Sequence, residues 1–212
     1  MTVKENLERI LKDIKNYSPT IIAVTKYYTE DKMIEAYNAG LRNFGENRAK
    51  EAVEKISKMD DKIKNQSVYH FIGHLQKNKV KYVVGNFDYI HSLDSSELAR
   101  CINEEANKKG IIQKVLIQVN NAGELQKSGI NPNELDNLIN EVSKLDCLNL
   151  VGLMNMAPLD CRESELSRLF SEMKMLKERY ELKELSMGMS NDYKIAVECG
   201  ATMIRLGRTL FE

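Results

Sequence analysis

The sequence predicts an α/β protein, a single-domain (β/α)8 TIM-type barrel over residues 1–212 with an extra N-terminal helix. Three observations carry this expectation. Short apolar runs rich in β-branched and aromatic residues recur eight times. Each run but the last is followed by a stretch with helical periodicity. No linker or low-complexity segment interrupts the rhythm. Strand–helix alternation argues for a parallel sheet, and eight units argue for its closure. A doubly wound open sheet is the structural rival, because 212 residues is compact for such a barrel, which typically has about 250.

Residues 3–15 place Val3, Leu7, Ile10, Leu11 and Ile14 at helical spacing between charged residues, an amphipathic helix ahead of the barrel. Pro19 breaks the chain, and the first strand runs over 20–26, through Thr20-Ile21-Ile22-Ala23-Val24-Thr25 to Lys26. Thr29-Glu30-Asp31 opens a helix through Met33, Ile34 and Tyr37, with Gly40 as its stop. A short strand at Arg42-Asn43-Phe44 precedes a helix over 47–58. Residues 68–72 form the third strand, with a helix over 75–84. Residues 89–91 form the fourth, and its helix runs from Asp94 or Ser95 to Gly110. Residues 113–119 are the fifth strand, the clearest of all. Asn131-Pro132-Asn133-Glu134 combines a capping Asn, a Pro at the first helical position and an acid in the first turn. A strand over 148–154, a helix over 163–179, a strand over 184–187, a helix over 191–199 stopped by Gly200 and a strand over 202–205 complete the series.

The 31 basic and 31 acidic residues balance, which gives no basic surface for nucleic acid and no polybasic membrane patch. No apolar stretch approaches the roughly 20 residues that span a bilayer. The N-terminus lacks the pattern of a signal peptide, so the expected location is the cytoplasm. Cys101, Cys147, Cys161 and Cys199 lack CxxC spacing and only three histidines are present, so neither a zinc site nor a disulfide framework is expected. The cysteines are expected to be buried thiols, and Met154, Met156, Met187 and Met189 to fill the core.

In such a barrel the chemistry gathers at the C-terminal ends of the strands, and phosphates sit after strands seven and eight. Lys26 ends strand one, where withdrawal from water would favour a neutral, nucleophilic amine; the other reading is a strand-end lysine that merely reaches solvent. Gly188, Ser190 and Asn191 form a turn after strand seven at a helix start, which suits either an anion or simple capping. Gly207 after strand eight offers a second backbone approach, and Arg208 and Thr209 add amides. The pair of turns favours a phosphate. An amine opposite a phosphate cradle points to a phosphorylated aldehyde held as a Schiff base, with pyridoxal 5'-phosphate (PLP) as the candidate. Arg205 faces the barrel mouth or salt-bridges a barrel acid. His70 and His74 are acid–base groups or hydrogen-bonded packing residues, and Gly45-Glu46-Asn47 brings an amide to the ring or caps a helix.

These residues resemble a known family. Ala23-Val24-Thr25-Lys26, Phe44-Gly45-Glu46-Asn47, the stretch from His70 to Lys79, Ile117-Gln118-Val119-Asn120, Lys127-Ser128-Gly129, Gly152-Leu153-Met154, Leu185-Ser186-Met187-Gly188-Met189-Ser190 and Ile204-Arg205-Leu206-Gly207 occur in the order found in the pyridoxal phosphate homeostasis proteins, whose fold is like the barrel domain of alanine racemase. The resemblance implies that Lys26 carries PLP as an internal aldimine. It further implies that Ser190, Gly207 and the Arg208 amide lie at the phosphate, that Arg205 faces the pyridine nitrogen, and that Asn47 and Met189 line the ring. Two departures stand out. Arg208 replaces a small Ser or Thr common in the family, and the chain stops at Phe211-Glu212 without the usual Gly-rich, charged extension.

An arginine at the pyridine nitrogen is a donor and disfavours its protonation, which makes the ring a poor electron sink. Racemisation also needs acid–base groups on both faces of the substrate carbon, and in the racemases the second comes from an added domain. The expectation is therefore a monomeric protein, without evident catalysis, that binds, buffers and delivers PLP to apo-enzymes. A PLP-dependent amino-acid racemase is the alternative, and a Schiff-base aldolase acting on sugar phosphates is a third reading.

Overall fold

The computed structural model describes residues 1–124, 128–158 and 160–212. Lys127, quoted above for the resemblance, lies outside the described residues. The chain begins with α1 (Val3–Asp13), β1 (Thr20–Val24), α2 (Glu30–Asn38), β2 (Asn43–Glu46), α3 (Ala49–Ser57), α4 (Asp61–Asn65) and β3 (Val68–Phe71). It continues through α5 (Val80–Val83), β4 (Tyr89–Leu93), α6 (Ser96–Lys109), β5 (Gln113–Gln118), α7 (Leu135–Val142) and β6 (Leu148–Met154). Then come α8 (Glu163–Arg179), β7 (Glu184–Ser186), α9 (Tyr193–Glu198), β8 (Met203–Leu206) and α10 (Arg208–Phe211).

The strands form a closed, all-parallel barrel in sequence order. Closure is made where β1 lies beside β8, with Ile21 opposite Ile204 and Ala23 opposite Leu206. This rules out the open doubly wound sheet, and it sets Lys26 beside the turns that follow β7 and β8. Burial follows from the pattern. Ile22, Ala23, Phe44, Ile90, Val115, Ile117, Leu153 and Ile204 are fully enclosed, as parallel strands covered by helices require.

Helix α1 starts at a capping box: the Glu5 N–H donates to Thr2 Oγ1 and the Thr2 N–H donates to Glu5 Oε2 at 2.8 Å. It buries Val3, Leu7 and Ile10, with Ile14 just beyond its end. Burial of each such side chain contributes about 1.5–3 kcal/mol. The helix packs on α10 and α2 and is tied to α9 by the Tyr193 hydroxyl, which donates to Asp13 Oδ2 at 2.8 Å. At α6, Ser95 Oγ accepts from the Leu98 N–H, and Gly110 ends the helix at φ +65°.

The structure departs from the expectations in five places. The first strand ends at Val24, so Lys26 stands two residues beyond it in a turn. Residues 75–84 contain only a 3-10 turn over Lys77–Lys79 and the short α5, because three lysines and an asparagine leave too few apolar positions for a full helix. The last strand is followed by a helix after all, the short α10. The four cysteines are half-buried free thiols rather than fully buried ones. Met154 and Met187 do lie in the core, but Met156 and Met189 are half-buried and line a cavity. Among the described residues no helix is long and apolar enough to cross a membrane, and no cluster of His, Cys, Asp and Glu is placed to hold a metal ion.

Candidate functional site

A cavity of about 780 Å³ opens at the C-terminal end of the barrel. Lys26, Asn47, Met189, Ser190, Arg205, Gly207 and Arg208 all line it. Closure of β1 on β8 makes this convergence possible across more than 160 residues of chain.

Lys26 sits in a turn closed by the Tyr28 N–H donating to the Thr25 carbonyl at 3.0 Å. The turn is fastened from below. The Lys55 ammonium on α3 donates to the carbonyls of Thr25 (2.8 Å) and Tyr28 (3.0 Å) and pairs with the Glu46 carboxylate at the end of β2. Glu46 Oε1 also accepts the Thr25 hydroxyl at 2.7 Å. This ion pair is buried, with side-chain exposures of 12% for Lys55 and 3% for Glu46. The Lys26 side chain is itself half-buried rather than buried, with Nζ 4.8 Å from the centroid of the exposed Tyr27 ring. The Lys55 clamp has no signature in the sequence, because it is one lysine on a charged helix.

Two junctions face the lysine from the strands across the seam. Gly188 adopts φ +89°, and a Cβ there would meet the Ala196 Cβ at 2.5 Å, so the turn after β7 requires glycine. The Thr209 N–H donates to Ser190 Oγ and the Thr209 hydroxyl to the Ser190 carbonyl, both at 3.2 Å, which ties this turn to the one after β8. The Thr209 amide, expected to face a phosphate, is therefore already used. The N–H groups of Ser190, Asn191, Gly207 and Arg208, by contrast, have no acceptor among the described residues. Gly207 has an ordinary φ of −112°, and a Cβ on it would come no closer than 3.7 Å to Val24, so packing does not demand glycine there. The space it leaves belongs to the cavity. Arg208 is exposed and also lines the cavity. From behind, Asn6 on α1 donates to the Leu210 carbonyl at 3.1 Å and holds α10 in place.

Arg205 is almost fully enclosed, at 4% exposure. Its Nη1–H donates to Ser186 Oγ and its Nη2–H to the Asn155 carbonyl, both at 2.7 Å. Among the described residues it forms no salt bridge to a barrel acid. Burial lowers its pKa to about 10, opposed by the nearby Asp192 carboxylate, so it stays charged at neutral pH. Burial raises the Asp192 carboxyl above its usual range, against the pull of the Met189 N–H, which donates to it at 2.5 Å, and of the Arg205 charge.

Asn47 adds a buried side-chain oxygen with no hydrogen-bond partner among the described residues. Gly73 packs so tightly behind it that a Cβ would lie 2.6 Å from the Asn47 carbonyl oxygen. His74 lines the cavity, with Nδ1 3.3 Å from Ser128 Oγ. His70 does not line it and lies inside the barrel. Residues not anticipated in the wall include Tyr27, Met156, Pro158, Cys161, Glu163 and Leu166, half of them from the β6–α8 connection, where the spacing of residue types carries no signal.

The family described as "Alanine racemase, N-terminal domain" matches residues 2–212. The pyridoxal phosphate homeostasis protein of Aquifex aeolicus is 35% identical over 226 residues, covering 100% of this chain and 98% of that protein. The protein of the same name from Escherichia coli (strain K12) is 38% identical over 200 residues, covering 91% of this chain and 84% of that one. Among solved structures, PipY of Synechococcus elongatus, described with PLP bound, superposes with a TM-score of 0.88 at 35% identity, covering 99% of this chain and 100% of that one. With the match running from end to end, the chain belongs to the alanine racemase N-terminal domain family, together with the pyridoxal phosphate homeostasis proteins.

Proposed function

We propose that this protein binds PLP in the barrel-mouth cavity, with Lys26 as its point of attachment, and serves intracellular PLP homeostasis. The observation that carries this reading is the set of four acceptor-free amides, from two consecutive strand–helix junctions, sharing one cavity with Lys26. Four N–H donors suit a phosphate dianion. The relatives named for PLP homeostasis and the PLP-bound PipY support the choice of ligand.

The residues present fit that group. The amides of Ser190, Asn191, Gly207 and Arg208 would hold the phosphate, with the Ser190 hydroxyl as a further donor. Three of the five Arg205 N–H groups have no acceptor among the described residues, so a guanidinium that can only donate would face the pyridine nitrogen and would disfavour its protonation. Asn47 and Met189 would flank the ring, and the Asn47 oxygen, unpartnered among the described residues, could accept from a ligand. Bound there, PLP supplies an aldehyde carbon that condenses reversibly with a primary amine and releases water. Lys26 brings that amine from a turn held rigid by Lys55 and Glu46.

The half-exposed position of Lys26 lets a second amine reach the same carbon, which suits buffering and delivery to apo-enzymes. The reading includes a monomer, acting as one domain in the cytoplasm. Purified protein mixed with PLP is expected to develop a visible band that borohydride fixes to the chain, and Lys26→Ala is expected to abolish the fixation. Fixation that survives in Lys26→Ala with the same stoichiometry would overturn the assignment.

A further inference from the structure

Five polar side chains occupy the barrel interior in one line. Arg205 on β8 donates to Ser186 on β7. Ser186 Oγ lies 3.0 Å from His91 Nδ1 on β4, a contact that crosses the barrel between strands that are not neighbours. His91 Nε2 lies 2.9 Å from His70 Nδ1 on β3, and His70 Nε2 lies 3.0 Å from Asn43 Oδ1 at the start of β2. His70, His91 and Ser186 are completely buried, and His70 stacks on Tyr89 at 4.7 Å.

The ends of this file dictate its direction. A guanidinium has no acceptor, so Ser186 Oγ must accept from Arg205. The Ser186 hydroxyl then has one proton, and the one side-chain acceptor within its reach among the described residues is His91 Nδ1. His91, if neutral, carries its proton on Nε2 and donates to His70 Nδ1. His70 in turn carries its proton on Nε2 and donates to Asn43 Oδ1. The opposite order leaves the buried Ser186 hydroxyl without an acceptor, which costs about 1–3 kcal/mol.

We infer that Ser186, His91, His70 and Asn43 are positioning residues, a one-directional file of hydrogen bonds that locks the Arg205 guanidinium in orientation and so sets the electronic state of the ring it faces. The clause about the ring rests on the function proposed above; the file itself does not. Charge around it supports neutral imidazoles. Burial, with the Lys114 ammonium on β5 adding to it, holds His70 down to about 3. Burial, His70 and Arg205 hold His91 well below its ordinary value. Asp192 is the acid that faces Arg205, and Tyr89 and Asn43 complete the neighbours.

The test begins with nitrogen NMR of the full chain without ligand. Both rings are expected as neutral Nε2–H tautomers throughout pH 5–8. An Nδ1–H tautomer at either ring, or titration of either in that range, would overturn the file. The second arm uses His70→Phe, which keeps a ring on Tyr89 but removes the acceptor for His91, and Asn43→Leu, which cuts the far end with less risk to folding. Neither residue lines the cavity. Each is expected to move the pH midpoint of the visible band of bound PLP by roughly half a unit and to weaken PLP binding by about threefold to tenfold. A loss of thermal stability with the band, its midpoint and the affinity unchanged would mean that these residues only pack, and would overturn the positioning role. A wild-type protein that takes up no PLP would overturn the function proposed above, while the tautomer measurement on the unliganded chain decides the file by itself.

Discussion

The mouth of the barrel and its interior handle polar groups in opposite ways. Inside, the Ser186 hydroxyl and the His91 and His70 rings each have an acceptor for their one proton, in His91, His70 and Asn43 in turn. At the mouth, four backbone amides and the Asn47 side-chain oxygen have no partner among the described residues. Unmet hydrogen-bonding groups in an enclosed place are costly unless a ligand meets them. The contrast separates a file whose imidazole and hydroxyl protons are met inside the protein from a mouth whose donors face a cavity. Glu46 and Lys55 belong with the scaffold although they lie just below the mouth, since each is paired and buried.

Acid provides the largest test of that contrast. His70 and His91 stay neutral in the folded chain, whereas in the unfolded chain they titrate near 6.5. The unfolded state therefore binds more protons below that pH, and stability falls as pH drops from 6.5 toward 3. Two groups limit the slope to about 2.7 kcal/mol per pH unit. Urea unfolding at a series of pH values measures it, and His70→Phe should remove one proton from the slope. An unchanged slope would mean that His70 is charged in the folded protein.

Lys55→Met strands the Glu46 carboxylate beneath the Lys26 turn and is expected to cost about 3–5 kcal/mol, as loss of one partner of a buried pair does. Denaturation midpoints check the figure, and a cost below 1 kcal/mol would show the pair to be hydrated and the clamp unimportant. The smallest change in stability should come from Gly207→Ala. Its new Cβ meets Val24 at 3.7 Å, so stability should move by less than about 0.5 kcal/mol. PLP affinity should nevertheless fall about tenfold, because the methyl enters space held for the phosphate. Titration of the visible band checks this, and unchanged affinity would remove Gly207 from the cradle.

Much of the architecture was legible before any coordinates. Strand β6 and helix α8 have the bounds that their patterns predict, because periodicity of 2 or 3.6 is a property of neighbours along the chain. Lys26, Gly188 and Gly207 were legible for a related reason, since each sits at the end of a recognisable strand. The misreadings have equally local causes. The segment over 75–84 fell short of a full helix for want of apolar positions, and the Thr209 amide was spent on Ser190, a contact between two different turns.

The sequence by itself determined the order of strands and helices, the closed barrel they imply and the lysine and glycines at the mouth, all through signals that act over a few residues. Only the tertiary structure decided that Lys55 clamps the Lys26 turn and that His91 meets Ser186, 95 residues away. Those contacts depend on closure of the sheet and on which inward positions share a level inside it. Strand tilt and stagger set that level, and no pattern along the chain records it.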